Sequence, residues 1–330
     1  MTHPIYNKNV LVTGAGGFIG SSLVQSLVEH GAAVRAFVRY NSRGDIGLLQ
    51  LLNPDIYDAI DIIPGDIRDS NAIASAAKNV DTIIHLGALI SIPYSYVHPV
   101  EVVESNVLGT LNVLQACRTQ GCRLVHTSTS EVYGTALRTP IDEDHPLQGQ
   151  SPYSASKIGA DKLVESYVRS FDVQAVTIRP FNTYGPGQSA RAVIPTIITQ
   201  ALTQDVIHLG NLHAKRDFTY LSDTVNGFLK AAQLEQFNGE VINLGSGAEI
   251  SIGELADLII EIIGRPVSIK LEQERLRPDK SEVMRLISDN SKARQFLNWQ
   301  PKVDIREGLS LTIDWIREHL ELFRIGKYER

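Results

Sequence analysis

Tyr153 and Lys157 stand four residues apart in the stretch Ser151-Pro152-Tyr153-Ser154-Ala155-Ser156-Lys157. Ser151 is a favourable helix N-cap and Pro152 a favourable first helical residue. The spacing therefore predicts a helix that opens here with both side chains on one face, about 6 Å apart along the axis. A phenol titrates near ~10 and is a poor base at neutral pH. A neighbouring ammonium and the positive end of a helix both favour the phenolate. The pair reads as a proton-transfer site. The same spacing recurs on many solvated helices, so the rest of the chain must supply the context.

Part of that context lies just upstream. Arg123–Gly134 reads as a fifth strand running into a hydroxyl-rich polar loop. Polar side chains at the carboxyl end of a parallel strand are where α/β folds place chemistry. Thr129 suits a hydrogen bond to a substrate hydroxyl opposite Tyr153, and Glu131 suits a general base. Without the helix at Ser151, the same loop would read as an ordinary polar turn.

The elements that would hold these groups begin at the N-terminus. Asn9–Thr13 is a short apolar strand, followed at once by Gly14-Ala15-Gly16-Gly17-Phe18-Ile19-Gly20 and an amphipathic helix over Ser21–His30. Strand, glycine turn and helix together predict a dinucleotide site. Gly14 permits the turn, Gly17 lets a pyrophosphate approach the helix N-terminus, and Gly20 lets helix and strand pack closely. The second strand, Ala33–Val38, ends in Arg39-Tyr40-Asn41-Ser42-Arg43 rather than in an acidic residue. Arg39 would take the 2′-phosphate of NADP, or stack on adenine with the ribose of NAD held by Asn41 or Ser42. A third strand, Ile60–Pro64, leads to Asp66, which suits the adenine amino group or a cap for the helix from Ser70. A fourth, Thr82–Leu86, leads to Gly87 and Ala88, small enough to admit a ribose. Asn106 sits in an apolar helix and is expected to hold the active-site backbone by hydrogen bonds.

Phe171–Ile178 reads as a sixth strand and Gly239–Ser246 as another. Apolar helical faces recur over Ala192–Leu202, around Leu255, Leu258, Ile259 and Ile262, and over Ile305–Leu322. Asp223 is expected to cap a helix from Thr224, and Trp299 to pack rather than to stack on a base.

The composition bounds the partners. The 330 residues carry a net charge of −6 without a basic run, which argues against nucleic acid. The two cysteines, Cys117 and Cys122, are too few for a disulfide framework and suit free thiols in a reducing cytosol. No apolar run is long enough to span a bilayer, and the N-terminus does not read as a signal peptide, so a cytoplasmic location is expected. No cluster suggests a metal site.

Taken in order, the glycine turn, the Thr129–Gly134 loop, Tyr153-x-x-x-Lys157 and Arg179-Pro180-Phe181-Asn182 resemble the extended short-chain dehydrogenases/reductases of nucleotide-sugar metabolism, over nearly the whole chain. Ala88–Tyr96, His126–Ala136 and Arg179–Gln200 look most like the NAD-dependent 4,6-dehydratases of legionaminic acid biosynthesis. These act on a nucleotide-linked N-acetylglucosamine, carrying UDP or GDP. The resemblance implies an α/β, Rossmann-type doubly wound parallel sheet with a smaller, interleaved C-terminal substrate domain. Residues 1–180, with a return of the chain at about 219–246, would bind NAD(P); 181–218 and 247–330 would bind the sugar nucleotide. It further implies that Phe18, Ile19, Arg39, Asp66, Ile67, Leu86 and Ala88 join the three glycines, Tyr153 and Lys157 around the cofactor. Ser91, Asn182, Arg191, Arg216 and Arg277 would face the sugar nucleotide, with Arg275 the alternative to Arg277.

In the implied reaction Tyr153 takes the proton of the 4-hydroxyl as hydride leaves C4. Glu131 removes the C5 proton, the 6-hydroxyl departs as water, and hydride returns to C6. Ser130 is the departure: dehydratases of dTDP-glucose carry an aspartate there to protonate the leaving hydroxyl. The Ser-Glu pair also occurs in UDP-glucuronate decarboxylases. A decarboxylase and a 4-epimerase are therefore the rival expectations, and a catalytically silent NAD-sensing regulator is the rival of another class. Family members dimerise through two helices, here Val100–Thr119 and Pro152–Phe171.

Overall fold

The computed structural model describes residues 5–276 and 278–324. The chain alternates strands and helices in the order β1 (Asn9–Thr13), α1 (Phe18–Glu29), β2 (Ala33–Arg39), β3 (Ile60–Gly65), α2 (Ser70–Ala76), β4 (Thr82–His85), α3 (Gly109–Gln120), β5 (Arg123–Thr127), α4 (Pro152–Phe171) and β6 (Ala175–Pro180). After an excursion that contains α5 (Val193–Thr203), it returns through α6 (Leu221–Ala232) to β7 (Asn238–Leu244). The seven strands form one parallel sheet in the order β3-β2-β1-β4-β5-β6-β7. The strand order reverses between β1 and β4, so the crevice at their carboxyl ends is the place where such a sheet binds ligands.

Parallel strands are apolar on both faces because helices cover both. Leu23, Val24 and Leu27 of α1 and Val225, Phe228 and Leu229 of α6 close one face over Val10, Val12 and Ile84. Ile73 of α2, Val113 and Leu114 of α3 and Val164 and Tyr167 of α4 close the other over Leu11, Ile83 and Leu124. Each such aliphatic side chain contributes about 1.5–3 kcal/mol by leaving water. A third core joins α5, α7 (Ile252–Ile263) and α8 (Ile305–Glu318) through Ile197, Ile198, Leu255, Ile259, Leu309 and Ile313. A smaller cluster of Val132, Tyr133, Ile141, Phe181, Val283 and Leu286 packs the Thr129–Gly134 loop against the C-terminal half.

Three local expectations need correction. The first helix starts at Phe18, not Ser21, because Gly17 already serves as its N-cap. Phe171 ends α4 rather than opening β6; Asp172 turns the chain with φ 53°. Asp223 lies inside the first turn of α6 and does not cap it; its carboxylate accepts from the amides of Lys302 and Val303, each at 3.0 Å. Trp299 is fully buried and its Nε1 donates to the Asp223 carbonyl at 2.8 Å. Cys117 and Cys122 are buried free thiols. Among the described residues, no helix is long and apolar enough to cross a membrane.

Candidate active site

The glycine turn lies over the carboxyl end of β1. Gly14 has φ +69°, and a Cβ there would sit 2.8 Å from the Gly87 amide nitrogen. A Cβ on Gly20 would sit 2.2 Å from the Gly14 carbonyl. Backbone alone fits at both positions. Gly17 caps α1 without a side-chain bond, and the first turn carries no acidic residue. The Ala15 and Gly17 amides are bound to the Phe37 and Gly14 carbonyls, but no side chain competes for the first amides of α1, and these are what a pyrophosphate requires. Phe18 and Ile19 open the helix and pack partly buried on the core. The residues present fit a dinucleotide.

The crevice edge beyond β2 and β3 is charged. Arg39 is exposed and lies 3.5 Å from Glu101, which also accepts a hydrogen bond from the Tyr94 hydroxyl. Asp66 is bound by its neighbour Arg68, whose Nε and Nη2 reach both carboxylate oxygens at 2.7–3.1 Å. That guanidinium holds the Asp66 carboxyl below its usual range. Asp66 does not cap α2; Asp69 does, accepting from the amides of Asn71 and Ala72. Asn41 is spent on its own loop, with its side chain bonded to the backbone of Arg43 and Asp45. Ile67 packs against Gly109 at the start of α3.

Leu86, Gly87 and Ala88 follow β4. The Gly87 amide donates to Thr13 Oγ1 at 3.1 Å, and the next turn is held by Asn106. Asn106 lies in a single π-turn, Glu104–Leu108, that leads into α3. Its Oδ1 accepts from the Leu89 amide (2.8 Å), and its Nδ2 donates to the Leu89 carbonyl (2.9 Å) and to Ser156 Oγ (2.9 Å). Ser156 in turn donates to the Tyr153 carbonyl at 2.7 Å. Ser91 caps the short helix Ile92–Val97 by accepting from the Tyr94 amide.

The Tyr153 helix opens as its sequence implies, with Pro152 at its first position and a capping box in which Ser151 and Ser154 each accept the other's amide. Thr129 caps the 3₁₀ turn Ser130–Tyr133, accepting from the Glu131 amide at 3.2 Å, and its hydroxyl is close enough to the Tyr153 phenol to favour the phenolate. Glu131 is half-buried in the same turn and close enough for its charge to oppose that phenolate. Ser130 is buried beside it. Lys157 is 4 % exposed and donates from Nζ to the Thr127 carbonyl at 2.6 Å. Burial lowers the Lys157 ammonium to about 8, opposed by the charge of Asp161. The spacing of Tyr153 and Lys157 suggested an acidified phenol. In the chain alone, burial outweighs the neighbouring groups and pushes the Tyr153 phenol up, because an anion there would lose its hydration.

Of the residues expected at the sugar nucleotide, Asn182 and Arg216 flank Asp217. Asn182 Nδ2 donates to the Asp217 carbonyl at 3.3 Å. Arg216 is buried, not on the surface; it donates to the Lys215 carbonyl at 2.9 Å and lies 3.4 Å from Glu282 Oε1. Arg191 is exposed ahead of α5, with its charge acting on Tyr94. Arg275 pairs with Glu272, and Arg277 lies outside the described residues. Among the described residues no cluster of His, Cys, Asp and Glu suits a metal ion.

Sequence reasoning missed the polar floor of the site. Asp161, Arg179, His126, Ser128, Tyr133 and Asn243 form one buried network behind Lys157. Ser128, Tyr133 and Arg179 lie in motifs singled out above, but Asp161, four residues beyond Lys157, belongs to none of them.

A family profile described as GDP-mannose 4,6 dehydratase matches residues 11–312. UDP-glucose 4-epimerase of Mycolicibacterium smegmatis is 33% identical over 314 residues, covering 93% of this chain and 98% of that protein. UDP-glucuronic acid decarboxylase 3 of Arabidopsis thaliana is 32% identical over 327 residues, covering 96% and 92%. The crystal structure of DesIV, a dTDP-glucose 4,6-dehydratase from Streptomyces venezuelae with NAD bound, superimposes with a TM-score of 0.86 at 29% identity and covers 97% of this chain and all of that one. The relatives thus span dehydratases, decarboxylases and epimerases of nucleotide sugars on one fold, and the chain belongs to the GDP-mannose 4,6-dehydratase-like family of extended short-chain dehydrogenases/reductases.

Proposed function

We propose that the protein is an NAD-dependent nucleotide-sugar 4,6-dehydratase acting on UDP- or GDP-N-acetylglucosamine and forming the 4-keto-6-deoxy sugar nucleotide. The observation that carries this reading is a carboxylate, Glu131, on the same short turn as the Thr129 hydroxyl and beside the Tyr153 phenol. Inversion at C4 needs no base for C5, whereas dehydration does.

NAD, held by Gly14, Gly17, Gly20 and the first amides of α1 with Asp66 and Ala88 at the flanks, supplies a hydride acceptor and a positive ring charge when bound. Tyr153 receives the proton of the 4-hydroxyl, which Thr129 orients by hydrogen bonding. Lys157 stabilises the charge that develops on the phenol from beneath. The 4-ketone makes the C5 proton acidic, and Glu131 removes it. Ser130 is too weak an acid to protonate the departing 6-hydroxyl, so the protonated Glu131 gives it the C5 proton and water leaves. Hydride then returns to C6, C5 takes a proton from solvent, and Tyr153 releases the one it received. Arg216, Asn182 and Arg191, with Ser91 and Arg277, hold the diphosphate and sugar; guanidinium forks match diphosphate oxygens. On this reading residues 1–180 and 219–246 carry the cofactor, and the remainder carries the sugar nucleotide. The exposed Val100, Val103, Leu108 and Phe171 suit a second copy of the chain packing along the two helices of the family contact.

The buried Ser130 favours a second reading, decarboxylation of a UDP-glucuronate, which needs no acid for a leaving hydroxyl. Mass spectrometry of the products from UDP-GlcNAc, GDP-GlcNAc and UDP-glucuronate separates the readings. Loss of water from either GlcNAc nucleotide is the expected result. Loss of carbon dioxide from the glucuronate alone, or isomerisation without mass change, overturns it.

A further inference from the structure

Asp161 lies one helical turn beyond Lys157, and the chemistry above leaves it unused. Its carboxylate is 6 % exposed and receives donors from two strands. Ser128 Oγ, just past β5, donates at 2.8 Å, and His126 Nε2 of β5 lies 3.2 Å away. Arg179 of β6 donates through Nε at 3.2 Å and Nη2 at 3.0 Å. Arg179 also donates to the Tyr133 hydroxyl at 2.9 Å, which donates to Asn243 Oδ1 of β7 at 2.7 Å. A buried carboxylate with this many donors is immobile, and the turn of α4 that carries it is immobile too. The Lys157 ammonium donates to the carbonyl of Thr127, the residue between His126 and Ser128. One three-residue segment at the end of β5, residues 126–128, therefore bonds to both Lys157 and Asp161.

The charged and titratable groups around Lys157 are few. Tyr153 and Asp161 share its helix, His126 comes from β5 and His85 from β4, while Glu131 faces Tyr153 and Arg179 is bonded to Asp161. Burial drives both imidazoles towards the neutral form, and the Lys157 charge adds to that. Asp161 is the carboxylate whose charge acts on the ammonium.

We propose that Asp161 is a positioning residue for the proton-transfer pair: its carboxylate clamps the Lys157 turn of α4 to the ends of β5 and β6 and is the buried counter-charge of the Lys157 ammonium. The proposal rests on the reading in which Tyr153 and Lys157 carry the proton step.

The first test needs no turnover. The lysine Cε resonances of isotope-labelled full-length protein are titrated, with Lys157 assigned by its loss in Lys157→Arg. Asp161→Asn is expected to lower the Lys157 midpoint by about one pH unit, because the ammonium loses its counter-charge. Ser128→Ala, which removes one tether and no charge, is expected to leave the midpoint in place. An Asp161→Asn midpoint equal to wild type, or the same shift in both variants, overturns the proposal. If Asp161→Asn does not fold, Asp161→Glu takes its place: a midpoint within about 0.3 units of wild type supports the counter-charge, and a fall of about one unit overturns it. The second test is steady-state kinetics with whichever sugar nucleotide is turned over. Ser128→Ala is expected to lower kcat about threefold to tenfold with KM within about twofold, and an unchanged kcat overturns the clamp. A wild-type protein that turns over no sugar nucleotide defeats the proposed function but leaves the lysine titration to decide on Asp161.

Discussion

Replacing Asn106 by alanine removes three hydrogen bonds at one stroke. Two join it to both backbone groups of Leu89 and one to Ser156 Oγ, with all three between 2.8 and 2.9 Å and Asn106 itself 1 % exposed. A buried hydrogen bond contributes about 1 kcal/mol net. Leu89 is only half-buried, so water can reach its freed amide and carbonyl, and no full desolvation penalty is added. The loss should therefore be about 3 kcal/mol. For 330 residues, with about 2.1 cal/mol/K of unfolding entropy per residue, that is a fall in Tm of about 4 °C. Differential scanning calorimetry of the purified protein measures it, with Gln25→Ala as the control. Gln25 makes a comparable bond to Glu29 at 2.8 Å, but on the exposed face of α1, and its loss should cost less than about 0.5 kcal/mol. The variant should also lose turnover, because the Leu89 loop and the Tyr153 turn are then no longer joined through Asn106 and Ser156. A fall in Tm of less than about 2 °C would refute the argument that this side chain ties the Leu89 loop to the Tyr153 helix.

Three other outcomes are expected. Gly20→Ala puts a methyl 2.2 Å from the Gly14 carbonyl, with only backbone around it, so NAD affinity should fall at least about tenfold; calorimetric titration giving the wild-type Kd would contradict the cradle. Glu131→Gln should still oxidise C4 but lose exchange of the C5 proton with deuterated solvent by about 10²-fold or more, and exchange at the wild-type rate would remove Glu131 as the base. Lys157 titrates at about 8 when folded and higher when unfolded, so between these values the unfolded chain binds more protons and stability rises with pH. Denaturant titrations should show a gain of about 2 kcal/mol for wild type relative to Lys157→Met between about pH 8 and pH 10, and parallel curves would contradict the buried ammonium.

Much of this was legible from local chemistry. Strand, glycine turn and helix at Asn9–Glu29 follow from residue type, because only glycine tolerates a positive φ at Gly14 and a backbone contact as close as that at Gly20. The opening of α4 follows from Ser151 and Pro152, which satisfy or dispense with the orphan amides of a first turn. Asn106 could be singled out as a polar residue on an apolar helical stretch. Tertiary structure decided what depends on partners remote in sequence. Asp223 serves the amides of Lys302 and Val303, 79 and 80 residues away, rather than its own helix. Arg216, which spacing could equally place on the surface, is buried against Glu282. The phenol of Tyr153 is set by desolvation, which no spacing rule reports, because burial is a property of the packed molecule and not of any segment of it. For the same reason Asp161 is anonymous in the sequence and central in the fold: its donors come from residues 126, 128 and 179, which meet only when β5, β6 and α4 pack together.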